Sequence, residues 1–539
     1  MSGVPVLGVR TLDGASLEAA RRPLEAALQA FLVRQRWFGG KSRPVARVEL
    51  ADAGPLQPRA TPFLLIVDVS FGDGGSDRYA VPVTVLDDSR GPDLLAERRT
   101  AALAWLDTAG GRLLVDAAAD DGACRGLIAA IDCAADSPLA RGRVRAVRDA
   151  TPMLSLPLDE TSVRRTGAEQ SNTSMLFGGA AILKVYRRLE AGPHPELELG
   201  RFLRREGFDD VPAVLGSMEY VRDGASSALA VVHALVPDAI DGWEHALSHA
   251  ADYFARVGPR PGAEAQAFGS NGSALDLVGR PLDGPRRLIG EYLDAAATLG
   301  AQTAALHLTL ARGTGAALEP EPLTVEDLTA LVESTRARAR RALALLASAR
   351  PRISGRGGAR AARLIGAQPA LFERLEAIAR TPIDALRTRV HQDYHLGQLL
   401  WNGSRYVLLD FEGEPARPLA ERRAKRSPLA DVAGMLRSYS YAAWSALFDR
   451  SREAGADPAD LEPWAALWES AAVGSFLGAY LAGAGGAPFL PRERAQLAAL
   501  LDLFVLDKGL YELEYELNNR PDWVAVPVEG LLKILTIDD

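Results

Sequence analysis

Three side chains near residue 400 carry oxygens at a spacing that suits the transfer of a phosphoryl group. Asp393 lies in a short polar loop, Gln398 follows five residues later, and an apolar run over residues 406–409 leads to Asp410. Phosphoryl transfer mainly requires that a hydroxyl be positioned and that Mg²⁺ be held against the triphosphate. Because Mg²⁺ prefers oxygen ligands and keeps several waters, Gln398 and Asp410 are candidate metal ligands. Asp393 is the candidate catalytic base.

The combined pattern is His-x-Asp-x-x-x-x-Gln, an apolar strand and Asp-Phe-Glu. It resembles the catalytic loop and Asp-Phe-Gly segment of protein kinases, with Gln398 in place of asparagine and Glu412 in place of glycine. It is more similar still to the aminoglycoside phosphotransferase-like small-molecule kinases. A lone His-x-Asp tripeptide is typical of an exposed turn, so the prediction depends on the whole pattern. His391 is predicted to brace the loop by hydrogen bonding. Both His391 and Glu412 are kept as candidate substrate-binding residues, and a metal contact by Glu412 is also left open.

Composition limits the classes of protein that remain. The 539 residues are enough for roughly two to four domains with large cores. With 61 basic and 69 acidic residues, the formal charge of −8 argues against nucleic acid as the main partner. The two cysteines imply no disulfide framework, and the start of the chain lacks the pattern of a signal peptide. We therefore expect a cytoplasmic protein.

Two segments imitate known motifs without satisfying them. Residues 470–490 carry no charge, but a glycine-rich tail breaks the run at about two thirds of its length, which predicts a buried helix and a tight loop rather than a membrane span. Residues 37–42 look like the end of a Walker A loop, yet Gln35 stands where that motif requires glycine. They predict a loop that caps an N-terminal helix.

A lysine on a strand is the second element that kinase chemistry needs. Residues 162–187 predict a strand, a polar turn, a strand, a Gly-Gly turn and a strand. Lys184 lies in the last of these, where a lysine is unusual without a partner. It resembles the kinase lysine that contacts the α- and β-phosphates and pairs with a helix glutamate. Glu198 is the predicted partner and Glu196 the alternative; a lysine that merely extends from an edge strand is the other interpretation.

The polar turn before that strand is the predicted phosphate cover, because hydroxyls and backbone donors could replace a glycine-rich loop. Its candidate nucleotide-binding residues are Ser171, Asn172, Thr173 and Ser174. Residues 228–237 predict an inner strand and hinge against which an adenine ring would lie. Amphipathic stretches at 288–310, 325–347, 370–378 and 429–447 predict helices, and residues 313–368 are predicted to be helical at first and then looped around 355–358.

Several longer runs resemble bacterial maltokinases with an N-terminal cap domain. They are residues 34–42, 391–401, 410–438, 299–311 and 510–523, and they lie across nearly the whole chain in the expected order. The resemblance implies that ATP, with Mg²⁺, phosphorylates the anomeric hydroxyl of maltose to give maltose 1-phosphate. It further implies a place between trehalose and α-glucan (glycogen), with trehalose synthase as a partner.

The expected fold is α+β and bilobal, protein-kinase-like, with a β-rich N-terminal cap and a largely helical C-lobe. We predict a cap domain over 1–95, an intermediate subdomain over 96–150, a kinase N-lobe over 151–240, and a helical C-lobe with the catalytic loop and sugar pocket over 241–539. Independent support for the cap comes from two strand-like runs, 62–70 and 78–86, joined by a polar glycine-rich loop.

A helix predicted over 503–517 supplies candidates for the sugar pocket. Lys508, Glu512 and Glu516 recur at i, i+4 and i+8, with Tyr511 and Tyr515 in an adjacent stripe. Carboxylates can accept sugar hydroxyls and tyrosine rings can lie against a pyranose; a solvated salt-bridge ladder is the alternative. A further candidate is Arg437, which lies on an otherwise apolar helix and predicts a carboxylate partner. The basic run at 422–426 is expected to be a solvated loop.

Two other functions stay open on the sequence alone. An acidic pocket would also suit a kinase for glucosamine or another aminosugar, because it could hold an ammonium group. A catalytically weak regulatory partner of trehalose synthase is the non-enzyme alternative. The presence of Lys184, Asp393, Gln398 and Asp410 together argues against an inactive scaffold.

Overall fold

The structure is a computed structural model that describes residues 3–57, 61–87, 90–106, 111–150, 153, 158, 161–166, 171–257, 265, 272–353, 355–455 and 457–536. The chain forms two compact units. The first comprises Met1–Phe202 and Pro212–Pro237, and the second comprises Leu203–Val211 and Asp238–Asp539.

The first unit is built on two antiparallel sheets. Its helices are α1 (Gly14–Ala19), α2 (Arg21–Leu32), α3 (Gly91–Glu97), α4 (Asp121–Asp132) and α5 (Pro195–Arg205). Its strands are β1 (Val45–Pro55), β2 (Phe63–Phe71), β3 (Ser76–Leu86), β4 (Ala102–Trp105), β5 (Leu113–Asp116), β6 (Asp136–Pro138), β7 (Arg143–Arg148), β8 (Val163–Arg165), β9 (Asn172–Phe177), β10 (Ala181–Tyr186), β11 (Arg188–Leu189), β12 (Val214–Arg222) and β13 (Ala225–Ala234). The sheet orders are β1-β2-β3-β5-β4, with β11 beside β3, and β6-β7-β12-β13-β10-β9-β8.

The first sheet contains the predicted hairpin. Strands β2 and β3 pair antiparallel with Ser70 opposite Ser76, which confirms the prediction from residues 62–86. The apolar face of α2 packs on this sheet, and the segment after α2 adds the buried rings of Trp37 and Phe38 to the same core. Residues 37–42 therefore form the predicted loop after a helix. Residues 96–150, predicted as an intermediate subdomain, supply strands to both sheets.

The second sheet positions the predicted lysine strand. The strands predicted around residues 162–187 are present as β8, β9 and β10, and the inner strand predicted from residue 228 is β13. Strand β10 lies between β9 and β13, so it is an interior strand. Lys184 therefore does not extend from a sheet edge.

The second unit is mainly helical. Its helices are α6 (Gly242–Val257), α7 (Asp283–Ile289), α8 (Tyr292–Leu310), α9 (Val325–Ala349), α10 (Gly355–Gly366), α11 (Gln368–Ala379), α12 (Leu419–Arg422), α13 (Leu429–Ala454), α14 (Pro458–Ala484), α15 (Arg494–Asn519) and α16 (Ala525–Ile534). Short strands form two small sheets: β14 (Ile240–Asp241), β17 (Leu399–Trp401) and β18 (Tyr406–Leu408) in one, and β15 (Glu321–Pro322) and β16 (Leu386–Arg387) in the other.

Two helical predictions for this unit need correction. The helix predicted over 288–310 is divided at Gly290, whose φ of 80° is left-handed and separates α7 from α8. The loop predicted around 355–358 is wrong, because these residues begin α10. Burial of Ala361 and Leu364 on one face of α10 favours the helix despite its glycines.

The uncharged run at residues 470–490 is confirmed as a buried helix followed by a turn. It forms the last part of α14, which ends at Ala484 before Gly485 and Gly486. Among the described residues, no helix combines the length and apolar character needed to cross a membrane.

Candidate functional site

The loop that carries Asp393 lies between β16 and β17 and is held by a buried carboxylate. The backbone N–H groups of His391 and Gln392 donate to Asp431 at 2.7 and 2.9 Å. Gln392 has a left-handed φ of 73°. Each backbone donor that points at Asp431 resists reorientation of the loop, so Asp431 positions Asp393 without lying beside it.

His391 braces the same loop through its ring, as predicted. Its side chain is fully buried, and its Nε2–H donates to the carbonyl of Leu409 at 2.7 Å. Its Nδ1 accepts from the N–H of Asp393 at 3.4 Å. Because Leu409 precedes Asp410, the ring ties the Asp393 loop to the strand end that carries the candidate metal ligand. The buried ring does not line the cavity that opens beside Asp393, which corrects its place among the substrate-binding candidates.

Asp431, which the sequence prediction missed, is itself anchored on α13. Its carboxylate lies 3.3 Å from His307 Nε2, while His307 Nδ1 lies 3.0 Å from the hydroxyl of Tyr480. Burial raises the pKa of Asp431, but the His307 hydrogen bond and the nearby histidines outweigh burial and lower it. A buried acidic residue in the otherwise apolar start of α13 was the signal in the sequence, because such residues are rarely buried without partners.

Asp410 and Gln398 form a pair of oxygen-bearing side chains, as their spacing predicts. Gln398 Nε2 lies 3.4 Å from Asp410 Oδ2. The backbone N–H of Leu409 donates to the backbone carbonyl of Gln398 at 2.9 Å. If the side-chain amide of Gln398 turned by half a rotation, its oxygen rather than its NH₂ group would lie beside the Asp410 carboxylate. These donors fit Mg²⁺, which accepts one or two carboxylates with amide oxygens and waters. Asp410 has a left-handed φ of 61°; such strain clusters at functional sites.

Glu412 is buried beside Arg422, and one of its carboxylate oxygens lies within 4.8 Å of an Asp410 carboxylate oxygen. Arg422 donates to the Glu412 carbonyl at 3.1 Å, and its guanidinium lies 3.9 Å from the Glu412 carboxylate. Both side chains are buried. Glu412 does not line the cavity that opens beside Asp393, which corrects its place among the substrate-binding candidates. A metal contact by Glu412, beside Asp410, stays a prediction. The expectation of a solvated basic loop is wrong for Arg422, which is buried.

A cavity of about 460 Å³ opens beside Asp393 in the helical unit. Its volume lies within the range of about 300–1,000 Å³ typical of small-molecule sites. All five α15 candidates line it together with Asp393, namely Lys508, Tyr511, Glu512, Tyr515 and Glu516. Residues that the sequence prediction missed complete the wall: Trp243, His395, Gly397, Glu414, Gly434, Ser438, Tyr441, Arg520 and Trp523.

The acidic groups of this cavity already have partners. Glu512 accepts from Arg437 Nε at 2.8 Å, which confirms the predicted carboxylate partner of Arg437. Glu516 accepts from Arg520 at 2.6 Å and from the Tyr441 hydroxyl at 2.9 Å. Arg437 is 4 % exposed and does not line the cavity. Its place as a substrate-binding candidate is therefore corrected: it lies behind Glu512.

Glu414 is held in a similar way on the other side of the cavity. It accepts from Arg417 at 2.8 Å and from the Tyr511 hydroxyl at 2.9 Å. Two of the aromatic rings on the wall, Tyr441 and Trp523, are stacked at 6.2 Å between centroids and 10° between planes. The cavity thus combines hydrogen-bond acceptors of fixed orientation with flat apolar surfaces.

Asp393 remains ionised in this setting. Burial raises its pKa, but interactions with His395, Lys508 and His391 outweigh burial and lower the pKa to about 2. His395 Nε2 lies 3.8 Å from the Asp393 carboxylate, and His395 Nδ1 accepts the N–H of Gly397 at 3.1 Å. Since Nδ1 is an acceptor, the ring carries its hydrogen on Nε2, the nitrogen nearest Asp393.

In the first unit, Lys184 forms a buried ion pair with Glu196, not with the predicted partner Glu198. The Lys184 ammonium lies 3.1 Å from Glu196 Oε2. Glu196 also accepts from the Tyr186 hydroxyl and lies 3.0 Å from His233 Nε2. Residues two apart on a helix differ in direction by about 200°. When Glu196 faces β10, Glu198 therefore points away, where its side chain is partly exposed.

Three of the four residues predicted for the phosphate-covering turn lie in a strand. Asn172, Thr173 and Ser174 lie in β9 rather than in a turn, and the Thr173 hydroxyl accepts from Arg187 at 2.8 Å. Asn172 and Ser174 are buried. Ser171 lies at a bend just before the strand, and Gln170 lies outside the described residues. Nucleotide binding by these residues stays a prediction.

Comparison with known proteins shows what the chain is similar to. A family model described as the maltokinase N-terminal cap domain matches residues 31–120. A glucosamine kinase of Streptacidiphilus jiangxiensis is 29 % identical over 427 residues, which is 77 % of this chain and 81 % of the relative. A glucosamine kinase of Mycolicibacterium smegmatis is 29 % identical over 372 residues, which is 68 % of this chain and 78 % of the relative.

Solved structures show the same fold. Glucosamine kinase in complex with glucosamine, ADP and inorganic phosphate matches with a TM-score of 0.60 and 23 % identity, covering 92 % of this chain and 94 % of that chain. A second crystal form of glucosamine kinase matches with a TM-score of 0.62 and 24 % identity, covering 92 % and 96 %. The predicted α+β, kinase-like fold with a β-rich N-terminal region and a helical C-terminal region is confirmed.

Proposed function

We propose that this maltokinase-like kinase transfers the γ-phosphoryl group of ATP to the anomeric hydroxyl of maltose, giving maltose 1-phosphate and ADP. The observation that carries the proposal is the cavity that joins Asp393 to the polar and aromatic face of α15. The matched cap domain supports the choice of maltose. A place in the cytoplasm, in the route from trehalose to α-glucan and beside trehalose synthase, belongs to the same proposal.

The residues of the chain have distinct roles in this reaction. Asp393 accepts a hydrogen bond from the anomeric hydroxyl and orients the oxygen toward phosphorus. Because its pKa is about 2, the carboxylate takes up the proton only as the new oxygen–phosphorus bond forms and the bond to ADP breaks. Lys184 would contact the α- and β-phosphates. Gln398 and Asp410 would hold Mg²⁺, which neutralises phosphate charge when bound with the nucleotide.

The charge pattern of the cavity supports a neutral sugar. Glu414, Glu512 and Glu516 each accept from an arginine. A carboxylate that is fixed by an arginine still has lone pairs for a sugar hydroxyl, but the charge that would attract an ammonium group is largely balanced. Phosphorylation of glucosamine is the second candidate function, and the names of the two relatives favour it.

A substrate panel tests the proposal. Purified full-length protein with ATP and Mg²⁺ is assayed against maltose, glucose, glucosamine and an aminoglycoside, and the product is identified by ³¹P NMR. We expect the highest kcat/KM for maltose and a product phosphorylated at the anomeric position. A higher kcat/KM for glucosamine would replace maltose by the aminosugar. If the wild type phosphorylates none of these sugars, while ATP binds, the sugar-kinase assignment is wrong and a regulatory role is favoured.

A further inference from the structure

We propose that Arg437 is a positioning residue that sets the preference of the cavity for neutral over cationic sugars, acting through Glu512. The inference rests on the proposed function, since it requires that the cavity beside Asp393 bind a sugar. Arg437 does not touch that sugar in the proposal. It fixes the direction of the Glu512 carboxylate and balances its charge, and Gly530 provides the space that the guanidinium occupies.

The geometry separates the two sides of this ion pair. Glu512 lines the sugar cavity, whereas Arg437 lines a second, smaller cavity of about 80 Å³ on the far side. Arg437 Nε donates to Glu512 Oε2 at 2.8 Å. A sugar hydroxyl can therefore approach Glu512 from the cavity while the arginine holds the carboxylate from behind.

Four helices fix the guanidinium. On α13, Arg437 Nη1 lies 3.3 Å from Ser440 Oγ, and Ser440 donates to Glu469 on α14. Lys533 on α16 donates to the other oxygen of Glu469 at 2.9 Å. Arg437, Glu469 and Lys533 line the small cavity, and the Glu469 carboxylate links the two cations. Burial opposes the charge of Arg437, but Glu512 and Glu469 outweigh burial and raise the pKa of the guanidinium.

Gly530 on α16 makes this arrangement possible. A Cβ atom at this position would lie 2.1 Å from Arg437 Nη1, a distance that no side chain can accept without movement. The guanidinium would have to move, which disturbs the contact of Nη1 with Ser440 and the direction of the Nε bond to Glu512. Residue 530 is therefore coupled to the sugar cavity although it does not line that cavity.

Loss of the arginine has a specific consequence for the substrate. A cavity-facing Glu512 without its counter-ion gains attraction for an ammonium group, because specificity is the difference between two affinities. An aminosugar benefits from this change and a neutral sugar does not. A purely structural defect would lower kcat/KM for both sugars alike. The ratio of the two kcat/KM values therefore distinguishes a structural defect from a change in charge.

The experiment compares full-length Arg437→Met, Arg437→Lys, Glu512→Gln and the double variant Arg437→Met/Glu512→Gln, each assayed with maltose and glucosamine. For Arg437→Met we expect the glucosamine-to-maltose ratio of kcat/KM to rise about tenfold, within the range of coupling between contacting residues, with KM for ATP unchanged. Arg437→Lys should restore part of the wild-type ratio. In the Glu512→Gln background, Arg437→Met should leave the ratio unchanged.

Gly530→Ala provides a test that keeps every charge in the chain. We expect it to shift the ratio in the same direction as Arg437→Met, whereas Gly478→Ala, a helical glycine on α14 with open space around its Cβ position, should not. If Arg437→Met fails to fold, as judged by thermal melting, Gly530→Ala decides. An unchanged ratio in the folded variants, or the same shift with and without Glu512, overturns the inference. Inactivity of the wild type toward every sugar would instead overturn the proposed function.

Discussion

Replacing Glu196 by glutamine should destabilise the first unit far more than the same change at Glu198. Lys184 and Glu196 are 7 % and 4 % exposed, and both are removed from solvent that could replace a lost partner. Glutamine keeps the shape of the side chain and removes its charge. The Lys184 ammonium is then buried beside a neutral amide, a situation that costs about 3–5 kcal/mol when one partner of a buried pair is removed.

Because of the hydrogen bonds around Glu196, we expect the loss in free energy of unfolding to lie at the lower end of that range. One carboxylate oxygen accepts from both Lys184 and the Tyr186 hydroxyl, and the other lies 3.0 Å from His233 Nε2. Glutamine can keep its oxygen toward Lys184 and turn its NH₂ toward His233 Nε2, which accepts it in the tautomer that carries its hydrogen on Nδ1. We therefore expect a loss of ~3 kcal/mol, which corresponds to roughly a hundredfold change in the unfolding equilibrium.

The assay is urea denaturation of the full-length protein, with Glu198→Gln as the matched control. The spectroscopic signal is followed at several wavelengths to distinguish the unfolding of the two units. Glu198 is partly exposed, so its loss should change stability by less than about 1 kcal/mol. Burial raises the pKa of Glu196, but Lys184 and His233 lower it well below its ordinary value. Its carboxylate therefore stabilises the fold above pH 4.5, and the gap between wild type and Glu196→Gln should narrow as the pH falls below 4.5. An equal or greater loss in Glu198→Gln would refute the assignment of the pair.

Two further predictions concern the catalytic loop. Asp393→Asn should lower kcat by about 10²–10⁴-fold with ATP binding retained by calorimetry. Since the pKa of Asp393 is about 2, the wild-type pH–rate profile should show no inflection from this group between pH 4 and 8; an acid limb that disappears in Asp393→Asn would contradict this. Asp431→Asn should destabilise the helical unit by ~3 kcal/mol, because a buried carboxylate loses its charge beside His307, and should lower kcat more than it raises KM for sugar. A variant with normal kcat would show that Asp431 does not position the loop.

The placement of the Asp393 loop and of the α15 face could be predicted from the sequence because both depend on local spacing. Asp393, Gln398 and Asp410 lie within about one strand and one turn of each other in the chain, so little tertiary information is needed to bring them together. The residues of α15 follow a helical repeat, and that repeat alone places Lys508 and Glu512 on one face.

The partners of those residues could not be predicted in the same way. Asp431, Glu414 and Tyr441 reach the site from segments that only tertiary packing brings close. The choice between Glu196 and Glu198 depended on the rotation of α5 about its axis, which one amphipathic pattern does not determine. The sequence predicts Asn172 and Ser174 in a turn, whereas they lie in β9. Strand boundaries predicted from sequence are uncertain by a few residues.

The left-handed backbone of Asp410 sets stability against the proposed metal binding. A residue with a Cβ atom in this conformation carries an energy of about 1 kcal/mol that glycine does not, and the conformation is present at φ 61°. Glycine at 410 would relax the backbone and would also remove the carboxylate proposed to bind metal. Selection for heat tolerance alone would thus favour substitution at this position, while selection for turnover would preserve the aspartate.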